Sequence, residues 1–224
     1  MTGKRRGLYA AVLILALLFA SIPPARAETT LREALRKVSD SPFDGAAHSD
    51  LARAYNKNGE PGKAASEAKA ALALIPGFPP AMLELAHARR AEGMHEEAEA
   101  LYEVYLGCHP RSVEGLAGVS ESLARLGKWD ESFASAMAAI KEAPLDSMGY
   151  HALGRAYRIS GRFEEAVEVL GQALSFASEP SCILFEIGIC HVELGDRPSA
   201  LTQYEKLLET DRDRAALLFQ AIYP

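Results

Sequence analysis

Residues 147–180 read SMGYHALGRAYRISGRFEEAVEVLGQALSFASEP. Tyr150, Leu153, Gly154 and Tyr157 fall at i, i+3, i+4 and i+7, one face of an α-helix. Gly161 stops that helix. Ala166, Val167, Leu170, Ala173 and Leu174 then mark the apolar face of a second helix. Two short helices with one stripe each cannot bury those stripes alone, so they need neighbours of the same kind.

The rest of the chain supplies them. Gly59, Gly93, Gly127, Gly161 and Gly195 recur at a spacing of 34 residues. In the same phase run Ala64, Ala98, Ser132, Ala166 and Ala200, and also Pro42, Pro76, Pro110 and Pro144. Leu51, Leu85, Val119, Leu153 and Ile187 form an apolar set, and Ala54, Ala88, Ser122, Ala156 and Cys190 a small one. A fixed period of this length is the mark of a stacked array. The prolines end the second helix of each unit, and no segment alternates with period two, so no strands are expected.

These residues resemble the tetratricopeptide repeat (TPR) family. Tyr150, Leu153, Gly154, Tyr157, Gly161, Phe163, Ala166 and Ala173 carry the resemblance most closely. It implies an all-α fold, a right-handed α-solenoid of helix-turn-helix repeats at 45–78, 79–112, 113–146, 147–180 and 181–214. A leading helix over 29–42 occupies segment 28–44. A closing helix over 212–223 overlaps the last repeat and fills segment 215–224. Arg89 and His191 replace the family's tyrosine, and Ala68 and Ala136 a bulky residue, so repeats two and five are expected to pack less regularly.

The N-terminus differs from the repeats. Lys4, Arg5 and Arg6 precede an apolar run from Leu8 to Ala20, and Ala25-Arg26-Ala27 is a small-x-small site before Glu28. This order reads as a secretory signal peptide over 1–27 and export to the periplasm or beyond. Retention as an anchor facing the periplasm is the alternative, although a span needs about 20 apolar residues. Membrane contact is expected only in that case. Cleavage would remove Lys4, Arg5, Arg6 and Arg26 and no carboxylate, taking the net charge from −6 to −10. So acidic a chain is a poor partner for nucleic acid.

No G-x-S-x-G, H-E-x-x-H, P-loop or G-x-G-x-x-G occurs, and the six histidines share no repeat position. The chain is therefore expected to be no enzyme, with no catalytic residue, metal, cofactor or small-molecule substrate. Cys182 and Cys190 are eight residues apart on one predicted helix, about 12 Å along its axis, too far for a disulfide. Three free thiols are expected, with Cys108 and Cys190 in the core. Cys182, facing the groove, is either a reactive thiol or a plain small residue.

The resemblance implies that five positions of each repeat line a concave groove that binds a protein or peptide. They give Ser49, Arg53, Asn56 and Lys57, then Leu83, His87 and Arg90, then Glu114, Glu121 and Arg125. Met148, His151, Arg155 and Arg158 follow, then Cys182, Phe185, Ile189, Val192 and Glu193. Six cations against three carboxylates predict a positive strip that attracts an acidic segment of the partner. Ser49 and Arg53 stand where some TPR domains hold a terminal carboxylate with Lys-x-x-x-Asn, so that clamp is absent. Phe185, Ile189 and Val192, in register with Phe219 and Tyr223, leave two alternatives. Either they form an apolar docking site or homodimer contact, or the closing helix folds inward over them. A self-associating structural role is the alternative to an adaptor.

Overall fold

The computed structural model describes residues 26–224. The signal-peptide reading falls almost wholly on residues outside these. Among the described residues there are twelve α-helices and no strand. A leading helix α1 (Arg26–Asp40) is followed by five pairs: α2 (Gly45–Lys57) with α3 (Pro61–Leu74), α4 (Pro79–Ala91) with α5 (His95–Cys108), and α6 (Val113–Arg125) with α7 (Trp129–Glu142). Then come α8 (Ser147–Ile159) with α9 (Phe163–Phe176), α10 (Ser181–Glu193) with α11 (Arg197–Thr210), and the closing α12 (Arg212–Ile222).

The 34-residue glycines have a backbone reason. At Gly59, Gly93, Gly127, Gly161 and Gly195 φ lies between +73° and +80°, where an L side chain is strained. The following residue then donates its N–H back five positions, at 2.9 Å each time: Glu60 to Tyr55, Met94 to Arg89, Lys128 to Leu123, Arg162 to Tyr157 and Asp196 to His191. This satisfies carbonyls that the ending helix would leave orphaned. Repeats two and five turn at the same distance as the rest, so Arg89 and His191 do not loosen them there.

Each helix pair touches the next, and no single core exists. Ala52, Ala64 and Ala68 pack with Leu85 and Ala88 of the next repeat, Tyr102 with Val119 and Leu123, and Leu170 with Ile183 and Ile187. The in-phase small set Ala64, Ala98, Ser132, Ala166 and Ala200 is fully buried. The serines fit because they find partners: Ser132 Oγ donates to the Ser120 carbonyl at 2.8 Å, and Ser122 Oγ to the Gly118 carbonyl at 3.3 Å.

α1 ends at Asp40, before Ser41 and Pro42 rather than at the proline, since the residue ahead of proline is pushed out of the helical region. Asp44 then caps α2 by accepting from the Ala46 N–H at 2.9 Å. At the far end α12 packs on both α10 and α11, burying Leu218 and Ile222. Phe185, Ile189 and Val192 lie half-buried against that cluster. The inward-folded alternative is observed for part of the stripe: α12 packs over Phe185, Ile189 and Val192, while its own Phe219 and Tyr223 stay exposed. Cys190 is buried, but Cys108 and Cys182 are exposed. Cys108 is the last residue of α5, at the rim of the array, which corrects its expected core position. No described helix is long and apolar enough to cross a membrane.

Candidate functional site

The first helices α2, α4, α6, α8 and α10 carry the expected groove residues, and the structure ties most of their charges together. Arg53 Nε donates to Glu84 Oε1 at 2.7 Å, and Asn56 Nδ2 donates to the Glu84 carbonyl at 2.9 Å and to Oε2 at 3.0 Å. Arg90 pairs with Glu121, which also lies 2.8 Å from Arg155 Nη1. Glu186 pairs with Arg158 and sits 3.1 Å from Arg155 Nε. That last contact is ionic only, for Arg155 Nε is buried without an aligned hydrogen-bond acceptor. Lys57 and Arg125 are exposed and form no ion pair among the described residues.

The positive strip is thereby corrected. Glu84 and Glu186, outside the five expected positions, join Glu114, Glu121 and Glu193, so five carboxylates face six cations. A usable signal was present: Arg53–Glu84, Arg90–Glu121 and Arg155–Glu186 are each 31 residues apart, one repeat less one helical turn. Leu83, also expected on the wall, is buried against Tyr102 and Val119.

Burial would raise the Glu121 pKa, but Arg155 and then Arg90 outweigh it and hold the carboxyl below its ordinary range. Glu114 goes the other way, raised by burial and then by the charge of Glu84. Burial, reinforced by Arg90, lowers His87 to about 4. Burial and then Arg155 lower His151 as well. Both imidazoles are neutral at pH 7, hence one donor and one acceptor each. His87 Nδ1 lies 3.9 Å from Glu84 and 3.8 Å from Glu114, too far for a hydrogen bond. His151 Nε2 is buried without any partner.

Between α4, α6 and α8 these groups surround a cleft of about 270 Å³ floored by Ala117, Gly118 and Ala152. Gly118 is required there, since a Cβ would meet the Tyr102 ring at 2.5 Å. Tyr102 lies beneath, within 3.3 Å of Arg90 Nε. The arrangement can offer hydrogen bonds and a shaped recess, and it lacks a nucleophile paired with a base.

Helix pairs of this kind, stacked and turned by periodic glycines, make a tetratricopeptide-repeat solenoid. The pattern of the family described as "Bacterial transcriptional activator domain" matches residues 46–178, more than half the sequence, and the chain belongs to that family. No curated protein matches it. Among solved structures, a thermophilic TPR protein of Thermus thermophilus is 21% identical with a TM-score of 0.74, covering 80% of this chain and 100% of its own. A tetratricopeptide repeat protein of Parabacteroides merdae is 16% identical at a TM-score of 0.74, covering 89% and 78%. YrrB, "a TPR protein with an unusual peptide-binding site", is 15% identical at 0.50, covering 84% and 97%. At such identities the likeness is one of fold.

Proposed function

We propose that the chain is a non-enzymatic scaffold of the cell envelope that holds an extended peptide or partner protein in its concave groove. The observation that carries this is the row of first-helix side chains fixed by ion pairs from Arg53 to Arg158, a polar wall already ordered before any partner arrives. Preordered side chains lower the entropy lost on binding. The fold shared with YrrB, a TPR protein with a peptide-binding site, supports the reading. The signal-like order of residues 1–27 supports export. The family's description speaks of transcriptional activators. A net charge of −6 favours protein over nucleic acid as the partner.

The test places a photo-crosslinking amino acid in the full chain, expressed in its own cells, at Met148 in the groove or at Met137 on α7. Discrete adducts from position 148 and none from 137 are expected, in an envelope fraction whose protein begins at Glu28. Equal labelling from both positions would remove the groove. A protein beginning at Met1 would mean an anchor, and adducts only with itself would mean a structural polymer.

A further inference from the structure

One carboxylate of the groove breaks the pattern of the others. Glu84, Glu121 and Glu186 each meet the arginine that stands 31 residues earlier, Arg53, Arg90 and Arg155. The residue 31 before Glu114 is Leu83, which is buried. Glu114 has no Lys or Arg partner and no hydrogen bond among the described residues, although 49% of its side chain is exposed. Burial and then Glu84 raise its pKa, and Arg53 and Lys57 offset them only in part. Glu114 lines the cleft between α4, α6 and α8 together with His87, 3.8 Å away. His87 makes no hydrogen bond among the described residues, and neither of its ring nitrogens is closed off from solvent. Neutral at pH 7, it keeps one acceptor nitrogen.

We propose that Glu114 anchors one basic side chain, lysine or arginine, of an extended peptide lying in this cleft, an inference that rests on the peptide-scaffold reading above. The cationic head pairs with the Glu114 carboxylate and donates to the acceptor nitrogen of His87. Its aliphatic stem lies along Met148, 41% exposed, which holds the same repeat position as Glu114 on the next first helix. The cleft's two guanidiniums do not bar it. Arg90 and Arg155 are engaged by Glu121, seven residues or about 10 Å further along α6. An incoming carboxylate would face Glu114 and Glu121 with both arginines taken. An apolar side chain would bury Glu114 further and leave its charge unpaired. The net charge of −6 attracts a basic segment from a distance as well. A single pair enclosed in the cleft is screened by salt less than charges on open surface.

A 12-residue peptide library displayed on phage and panned on the full chain at pH 7.5 tests this. Peptides that slow hydrogen exchange in α4, α6 and α8 should share one Lys or Arg. On synthetic peptides, replacing that residue by Met should weaken Kd about tenfold, the equivalent of about 1.4 kcal/mol. Against Glu114→Gln, checked for helicity, the same replacement should change Kd less than about twofold. Against Glu103→Gln, which removes one charge outside the groove, the tenfold loss should remain. Groove peptides without a shared Lys or Arg, or a loss as large against Glu114→Gln as against the unaltered protein, would overturn the basic-side-chain site and leave the scaffold standing. Recovery of no peptide that binds the groove would overturn both.

Discussion

Glu121 joins the two halves of the ion-pair row, and Glu121→Gln removes its charge while keeping its shape. The side chain is 13% exposed, and its partners Arg90 and Arg155 are 26% and 22% exposed. Breaking a fully buried pair costs about 3–5 kcal/mol and an exposed one about 0–1. Two half-buried partners, both left with excess positive charge, put the loss at roughly 2 kcal/mol. For a chain of this size that is about 4–8 °C in Tm.

The pH dependence has a definite sign. The folded pKa of Glu121 lies below its ordinary value, so its contribution is complete above the unfolded pKa of about 4.3 and is lost as pH falls through the folded value. Thermal unfolding followed by circular dichroism at 222 nm, on both proteins between pH 3 and 8, should show a gap that is constant down to about pH 5 and narrows as the pH falls below about 4. The control is Glu103→Gln, an exposed residue of α5 without an ion pair among the described residues, expected within about 0.5 kcal/mol of wild type. A Glu121→Gln loss no larger than that, or a gap that does not narrow between pH 5 and pH 3, would refute the row as a stabilising element.

Two glycines in helices should respond oppositely to alanine: Gly118→Ala, with its Cβ 2.5 Å from the Tyr102 ring, should lose about 1–3 kcal/mol, while Gly171→Ala, with nothing within 4 Å, should gain about 1 kcal/mol in denaturant unfolding. Of the three thiols, Cys108 and Cys182 should react with a maleimide in the native state, whereas Cys190, buried and with its pKa pushed up to about 12, should react only after unfolding; mass spectrometry counts the adducts. Leu218→Ala, at a fully buried position of α12, should cost about 2–5 kcal/mol, and hydrogen exchange should show the loss confined to α10–α12, since repeats support only their neighbours.

The fold was legible because its demands fall on residue types that few others can meet. A positive φ at the turn after each first helix asks for glycine, and close helix approach asks for Ala, Ser or Cys at the in-phase small positions. The groove was less legible. Its ion pairs join positions 31 residues apart on different repeats, so a reading of five positions within each repeat omits Glu84 and Glu186. Leu83 occupies a wall position yet turns into the core, where Tyr102 offers a partner. Cys108 shows the same limit in reverse: an apolar type at the end of α5 has no helix above it to pack against.

The charges that make this protein acidic lie mostly away from the groove, and this decides how its partner should respond to salt. Glu96 and Glu97, Asp130 and Glu131, and Glu164 and Glu165 occupy the first turns of α5, α7 and α9, where they suit the helix dipole. Inside the groove, six cations meet five carboxylates, and of those cations only Lys57 and Arg125 stand free of an ion pair among the described residues. A strongly acidic segment would be repelled by the outer charge and find most inner cations already engaged. An uncharged peptide held by hydrogen bonds loses little when charges are screened within about 8 Å at physiological ionic strength. Peptides that bind the groove should therefore do so with affinities that change less than about threefold between 50 mM and 500 mM NaCl, the behaviour of contacts that are not long-range charge pairs. A fall of tenfold or more over that range, abolished by Lys57→Ala with Arg125→Ala, would show that the two free cations and an acidic partner dominate instead.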